Sequence, residues 1–277
     1  MRRSHHVLSE ALSRRRALGL SAGSLLAAGC WPGALRAADT APGGSFRFVV
    51  VNDVHYRDDR CGAWLEKVFR QIKAAPDQPE FCLMAGDYAE NGARAELAAA
   101  RDAFKLLGIP VFGVIGNHDH AAKDERQAYE ELFPGRINYR FENHGWQFLA
   151  LDSTQGRAGS NTNIQAPTLR WADDQLAKLD PKRPLVLLTH FPLGPITPAR
   201  PLNADALLER FKPFNLQAVF SGHFHGFTER QVGDAILTTN RCCSAWRANH
   251  DFSKEKGWFS CLARNGRITR EFVQAAA

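Results

Sequence analysis

Thiols are few in this sequence, and they are badly placed for chemistry. Six cysteines occur in 277 residues, and no two are spaced C-x-x-C. That spacing argues against a thioredoxin-type redox motif and against a structural zinc site. Internal repeats and low-complexity tracts are missing, as is any run of about 18 apolar residues able to span a membrane. Charge of one sign is missing from most of the chain as well. The net charge is +6, but residues 1–37 account for +5 of it, through six arginines against Glu10. The remainder is balanced to +1, so binding to a nucleic-acid polymer is not expected of the folded part. With 44% hydrophobic and 23% charged residues the composition is globular, which excludes collagen, coiled coil and wholesale disorder.

The arginine-rich start reads as a targeting segment. Ser13-Arg14-Arg15-Arg16 leads into a weakly apolar stretch over 17–29 and then into small residues ending at Ala37-Ala38. The Ser-Arg-Arg start resembles a twin-arginine export signal, so residues 1–37 are expected to be a signal peptide cut after Ala37. The implied location is periplasmic or secreted, with the export machinery as a partner. A rival reading is Leu26-Ala27-Ala28-Gly29-Cys30 as a degenerate lipoprotein box, with a lipid anchor at Cys30. Cleavage at Ala37 leaves five cysteines, an odd number. Residues 38–45 form a polar linker, and one folded domain is expected over 46–274.

Inside that domain short apolar runs alternate with helical patterns. The runs lie at 46–51, 81–84, 111–115, 148–151, 185–188 and 218–220. Between them Leu65, Val68, Phe69 and Ile72 share one helix face, and Leu97, Ala100, Phe104 and Leu107 share another, closed by Gly108 and Pro110. A third helix carries Leu169, Ala172, Leu176 and Leu179, with Thr168 expected as its N-cap, and a fourth carries Leu207, Leu208 and Phe211. Strands expected at 227–232, 235–239, 258–263 and 267–273 read as a meander. Helices covering sheets on both outer faces give a layered α/β sandwich.

Polar residues follow the ends of five of these strands. They are Asp53 with His55, Asp87, Asn117-His118-Asp119, His190, and His223 with His225. In open α/β sheets the ligand crevice lies at the strands' carboxyl ends, so the five ends are expected to converge. Asp53 and His55, like His223 and His225, are two apart, which points both members to one side of an extended segment. Imidazole, carboxylate and amide oxygen without thiolate suit borderline ions such as Mn, Fe or Zn. Gly86, Gly116 and Gly222 stand just ahead of the ligands and permit close backbone approach.

The ordered set Asp53-x-His55, Gly86-Asp87, Gly116-Asn117-His118-Asp119, His190 and Gly222-His223-x-His225 resembles the calcineurin-like metallophosphoesterases. It matches most closely their phosphodiesterase-like branch, which includes cyclic-nucleotide phosphodiesterases and also monoesterases. The resemblance implies a four-layer α/β/β/α sandwich with two central mixed β-sheets. It implies two metal ions per chain, one on Asp53, His55, Asp87 and His225, the other on Asp87, Asn117, His190 and His223. Asp87 bridges them, and a shared hydroxide attacks phosphorus of a small mono- or diester. His118 then faces the phosphoryl oxygen and leaving group, held by Asp119. Two branches of the family fit less well. The segment 86–92 lacks the arginine of the protein phosphatases. Glu90 stands where purple acid phosphatases carry a tyrosine ligand, and Tyr88 reads as packing. A non-catalytic scaffold of the same fold, or a metal hydrolase of a non-phosphate ester, remains as an alternative.

Substrate residues are harder to choose. Arg157, Asn161, Asn163 and Arg170 lie in or beside a long polar loop, solvated or lying over the site. The segment 241–250 offers Arg241 or Arg247 as a phosphate clamp and Trp246 as a stacking surface. His120, His144 and His250 read as bystanders. If the family fold holds, Cys61 becomes a candidate disulfide partner for Cys242 or Cys243, pinning that segment beside the metals; the alternative is that all these thiols are buried and free.

Overall fold

The computed structural model describes residues 44–276. The proposed export segment, its cleavage site and the Cys30 box lie outside the described residues. Alternation along the first strand sets the layering. In β1 (Phe46–Val51) Phe48 and Val50 enter one core, while Val49 and Val51 enter another. In β2 (Phe81–Met84) Phe81 and Leu83 join the first core, and Cys82 and Met84 the second. Period-2 side-chain alternation thus buries both faces of one sheet.

The second core is closed by α1 (Asp59–Ala74) and α2 (Arg94–Phe104). In α1 the expected face of Leu65, Val68, Phe69 and Ile72 is buried, and Asp58 caps the start by accepting from the Arg60 amide at 3.0 Å. Helix α2 tightens into a 3-10 turn at Lys105–Leu107 and stops at Gly108, whose φ is 70°. Strand β3 (Val111–Gly113) follows.

The other half repeats the plan. It holds β4 (Tyr139–Asn143), β5 (Trp146–Leu151), α4 (Ala166–Leu176), β6 (Leu185–Thr189), α5 (Ala204–Phe211), β7 (Leu216–Ser221), β8 (Thr228–Val232) and β9 (Ala235–Thr239). Helix α3 (Gln127–Leu132) instead packs in the first half, with Tyr129 in the second core. Phe148, Val186, Leu188 and Phe220 face the first sheet; Leu149, Leu187 and Val219 face α4 and α5. The chain ends with the hairpin β10 (Gly257–Arg264) and β11 (Arg267–Gln274). The sheet orders are β11-β10-β1-β2-β3 and β4-β5-β6-β7-β9-β8. Three cores between four layers make the α/β/β/α sandwich with two mixed sheets. Among the described residues, no helix is long and apolar enough to cross a membrane.

Several expectations need correction. The last four strands are not one meander: β9 lies parallel to β7 in one sheet, whereas β10 crosses to pair antiparallel with β1 in the other. Gln165, not Thr168, precedes the first turn of α4; Thr168 is buried inside it and accepts from Asn138 Nδ2 at 3.2 Å. Two elements were not anticipated. The edge strand β4 alternates only between half-buried and exposed residues, and α3 is too short to show a helical period.

Candidate metal centre

Strands β1, β2 and β3 run parallel, as do β5, β6 and β7, so the segments following β1, β2, β3, β6 and β7 emerge at carboxyl ends. Backbone hydrogen bonds lock neighbouring segments together. Asp53 N donates to Gly86 O at 3.1 Å, His55 N to Asp87 O at 3.0 Å, and Gly222 N to His190 O at 3.0 Å. The Asp-x-His segments do not converge by being extended, as the spacing alone suggested. Asp53, His55, Asp87, His223 and His225 all take left-handed φ, between 47° and 65°. Such backbone costs on the order of 1–2 kcal/mol per residue for an L side chain, and it clusters at functional sites. The glycines make room. A Cβ on Gly116 would sit 2.1 Å from Asp87 Oδ1, and one on Gly86, whose φ is +86°, would sit 2.5 Å from His190 Nδ1.

The side chains meet in two groups that share Asp87: Asp53, His55, Asp87 and His225, and Asp87, His190 and His223. Asn117 joins the second, its Oδ1 being 3.0 Å from both His190 Nε2 and His223 Nδ1. Outer contacts fix which ring nitrogens face inward. His190 Nδ1 donates to Ala85 O at 2.9 Å, and His223 Nε2 to Gly159 O at 2.8 Å. His225 Nδ1 faces Ala248 O at 3.3 Å, and Glu90 Oε2 lies 2.9 Å from His55 Nδ1. In neutral rings that leaves lone pairs on His190 Nε2, His223 Nδ1 and His225 Nε2, aimed at one another and at carboxylate oxygens.

Those spacings test whether metal fits. His55 Nε2 and His225 Nε2 are 3.0 Å apart, and Asp87 Oδ2 is 3.4 Å from both His55 Nε2 and His190 Nε2. Polyhedron edges around an ion with bonds of about 2.1 Å are roughly 3.0–3.4 Å long. Acceptors packed at that spacing repel unless a cation or a proton stands between them, so the donor set fits two ions sharing Asp87. Electrostatics agree. Burial opposes charge on Asp87, yet His190 and His55 hold it well below the usual carboxylate range. Burial likewise opposes charge on Asp53, and His225 draws it down to about 2. His190 is raised to about 9, burial being outweighed by Asp87 and Asp53, whereas burial and the His190 charge lower His223 to about 4. Protons on some imidazoles balance the carboxylates, and metal binding would release them.

A cavity of about 250 Å³ opens over this cluster, lined by His118, Pro198, Ala199, Phe224, Arg247 and His250 among others. His118 is beside it, but Asp119 does not hold its ring. His118 Nδ1 donates to Glu90 O at 2.7 Å, while the buried Asp119 accepts from Ala89 N and Gly116 N, each at 2.8 Å. Asp119 therefore ties two ligand loops together. Burial and the Asp87 charge push its pKa up to about 8.

The three expected substrate residues separate. Arg241 faces away: its Nε donates to Ser253 Oγ at 2.9 Å and its guanidinium lies 5.0 Å over Phe272, so it is no phosphate clamp. Trp246 is a strut whose Nε1 donates to His55 O at 3.0 Å, with Arg57 4.0 Å over its ring. Arg247 lines the cavity, paired to Glu90 through Nε at 3.1 Å and 3.5 Å from His118 Nδ1. The disulfide staple is not formed. Cys61, Cys82, Cys242, Cys243 and Cys261 are all free and buried, and the 241–250 segment is pinned instead by Trp246 and by Trp64 Nε1 donating to Cys243 O at 2.9 Å.

Of the polar loop, Arg157 braces the backbone behind the site, reaching His118 O at 3.4 Å, and Gly159 orients His223. His250, expected as a bystander, stacks on His225 with ring centroids 5.1 Å apart. His120 and His144 stay outside, on Thr154 and Glu80. Glu90 was missed as a supporting residue, since its position signals only what it replaces in a neighbouring branch.

Comparison with known proteins agrees with this arrangement. A model of the calcineurin-like phosphoesterases matches residues 46–227. A probable cyclic nucleotide phosphodiesterase of Synechococcus is 30% identical over 125 residues, 45% of this chain and 46% of that protein. A probable glycerophosphodiester phosphodiesterase of Arcobacter nitrofigilis is 27% identical over 119 residues, 42% of this chain and 43% of that protein. The chain thus spans less than half the length of these curated relatives. Among solved structures, a purple acid phosphatase of yellow lupin seeds superposes with TM-score 0.60 at 12% identity, over 84% of this chain and 52% of that one. GAP50, the anchor in the inner membrane complex of Plasmodium, gives TM-score 0.59 at 16% identity, over 83% and 85%. At such identities the two structures bear on fold alone.

Proposed function

The chain belongs to the calcineurin-like phosphoesterase family, and from that premise we propose that it is a metal-dependent phosphodiesterase acting on small substrates. The observation that carries this is the set of inward lone pairs at His190, His223 and His225, packed with Asn117 against Asp53 and Asp87. Asp53, His55, Asp87 and His225 would hold one ion, and Asp87, Asn117, His190 and His223 the other. Bound there, ions of the Mn, Fe or Zn type supply an acidified water and positive charge for the phosphoryl oxygens.

The chain's own groups do the rest. His118 is turned by the Glu90 carbonyl so that Nε2 is left for substrate. With Nδ1–H committed, that nitrogen accepts a hydrogen bond in the neutral ring and donates to a leaving oxygen only as the imidazolium. Arg247 is the permanent cation on the cavity wall, and Glu90 already balances it. A diester monoanion suits that balance better than a monoester dianion. We also propose export through the arginine-rich segment; Arg14→Lys with Arg15→Lys should then leave the protein inside the cell, and unchanged export of the double variant would refute it.

The function is tested by metal analysis of the purified protein together with turnover of bis(p-nitrophenyl) phosphate, p-nitrophenyl phosphate and p-nitrophenyl acetate. Two ions per chain and preference for the diester are expected. Asp87→Asn should lose both metal and activity, and His118→Ala should lose turnover while keeping metal. A metal-loaded protein inert toward every phosphoester would overturn the reading.

A further inference from the structure

Another cavity, of about 380 Å³, opens beside β3, the last strand of its sheet. Tyr88, Phe104, Val111, Leu132 and Phe133 give it an apolar floor. The rings pack together, the Tyr88 centroid lying 4.8 Å from that of Phe133 and 5.5 Å from that of Phe104. Gly113 admits the Tyr88 phenol, because a Cβ there would sit 1.8 Å from its hydroxyl oxygen. No residue of this cavity belongs to the ligand cluster or lines the cavity above it. A hollow of this size suits a small organic molecule.

The wall around that floor carries charge of one sign. Arg101, Lys105 and Arg136 line the cavity, and no Asp or Glu does. Arg101 and Lys105 share one carboxylate oxygen, Asp102 Oδ1, at 3.0 and 2.7 Å. Arg136 is half-buried and stacked, 4.5 Å over Tyr139 and 5.2 Å over Phe112, and among the described residues no carboxylate pairs with it. Burial raises the Tyr88 phenol well above its usual pKa and Arg136 pulls the other way, which puts its charge beside the floor. A guanidinium is weakly hydrated and presents a planar fork matched to two oxygens. Held over an apolar floor without a counter-charge, this fork is open to a ligand. The sign is particular to this cavity: one of about 420 Å³ beside α5 is lined by Asp205, Glu209 and Asp234 against Lys212 alone.

We propose that this cavity binds a small organic anion, a carboxylate with an apolar body, at a site separate from the metal centre. The carboxylate takes the Arg136 fork, Arg101 and Lys105 add their charge at the rim, and the body covers Phe104, Val111, Leu132 and Phe133. Apolar walls of low dielectric focus the field of the three cations on such a group. A neutral body of the same shape gains nothing from them, and an amine is repelled. Occupancy here does not depend on which phosphoester the metals cleave.

The test is calorimetric titration of the metal-loaded full chain with octanoate, octanol and octylammonium, each below its micelle concentration. Octanoate should bind once per chain and about 10-fold or more tighter than the other two, the worth of a charge-assisted hydrogen bond. Arg136→Met keeps a stem over Tyr139 and Phe112, and should weaken octanoate by about 10- to 100-fold at unchanged Tm. Should that variant unfold, Arg136→Lys, which keeps the charge and loses the fork, must still weaken it by roughly 2- to 10-fold. Lys212→Met, in the acidic cavity, should change nothing. Absence of octanoate binding would overturn the proposal, as would octanol binding equally well. Binding that Arg136→Met leaves intact, or that inorganic phosphate displaces, would put the carboxylate at the metals and overturn it too.

Discussion

Asp119→Asn separates two roles that the motif alone does not. If Asp119 oriented the His118 ring, its replacement would disturb proton transfer and little else. The structure gives it other work: one carboxylate oxygen accepts from Ala89 N and the other from Gly116 N, each at 2.8 Å, and the side chain is fully buried. An asparagine of the same shape keeps one acceptor and turns an NH2 group toward the other amide. One hydrogen bond, worth about 0.5–1.5 kcal/mol, is lost, and a buried N–H is left without a partner at about 1–3 kcal/mol. The expected cost is therefore about 2–4 kcal/mol, or a fall in Tm of about 4–16 °C for a domain of this size. Metal should leave as well, because the two loops that Asp119 joins carry Asp87 and Asn117. Differential scanning calorimetry with metal analysis on the same sample reads both effects. An unchanged Tm and full metal content, with an altered pH–rate profile, would refute the loop-tying role and restore the ring-orienting one.

Three further outcomes follow from the geometry. Gly86→Ala should cost about 2 kcal/mol or more through left-handed strain and push the His190 ring off the Ala85 carbonyl, with metal content falling before the fold is lost; full metal occupancy in a stable variant would contradict this. Glu90→Gln keeps the carbonyl that holds His118 but loses the ion pair to Arg247 and the carboxylate beside His55, so metal affinity should weaken by about 10–100-fold in chelator-buffered titration. Cys82, Cys243 and Cys261 should resist alkylation in the native protein and react only after denaturation, since burial pushes Cys243 up to about 12 and raises Cys82 and Cys261 further; a reductant that lowered Tm would reveal a bridge the structure lacks.

The layered fold was legible because β1 and β2 are buried on both faces and read as unbroken apolar runs, while α1 shows its buried face at helical spacing. The candidate ligand positions stood out because each follows such a run, and the structure brings their side chains together. Side-chain direction in the intervening loops was not. Spacing placed Arg241 and Arg247 equally near the metals, yet one turns to Ser253 and Phe272 and the other to Glu90, and only contacts with distant segments decide that. Asp119 and Trp246 were misread for the same reason: their partners are backbone groups, which leave no mark on residue identity. The left-handed ligand backbone was hidden too, because aspartate and histidine report no φ, and only the adjoining glycines hinted at crowding.

The pairing of β1 with β10 has a consequence for the order in which the molecule is made. The last expected ligand is His225, but the Ala248 carbonyl facing it, the Trp246 indole on the His55 carbonyl and the Cys243 amide on the Asn52 carbonyl all lie further along. A nascent chain that has emerged only to His225 holds every ligand and lacks the groups that fix two of them. Strand β1, first in the domain, must also wait for β10 before it has a neighbour on each side. Contacts of such long sequence separation form late in folding. The groups that fix His55 and His225 thereby belong to the last part of the domain to be synthesised.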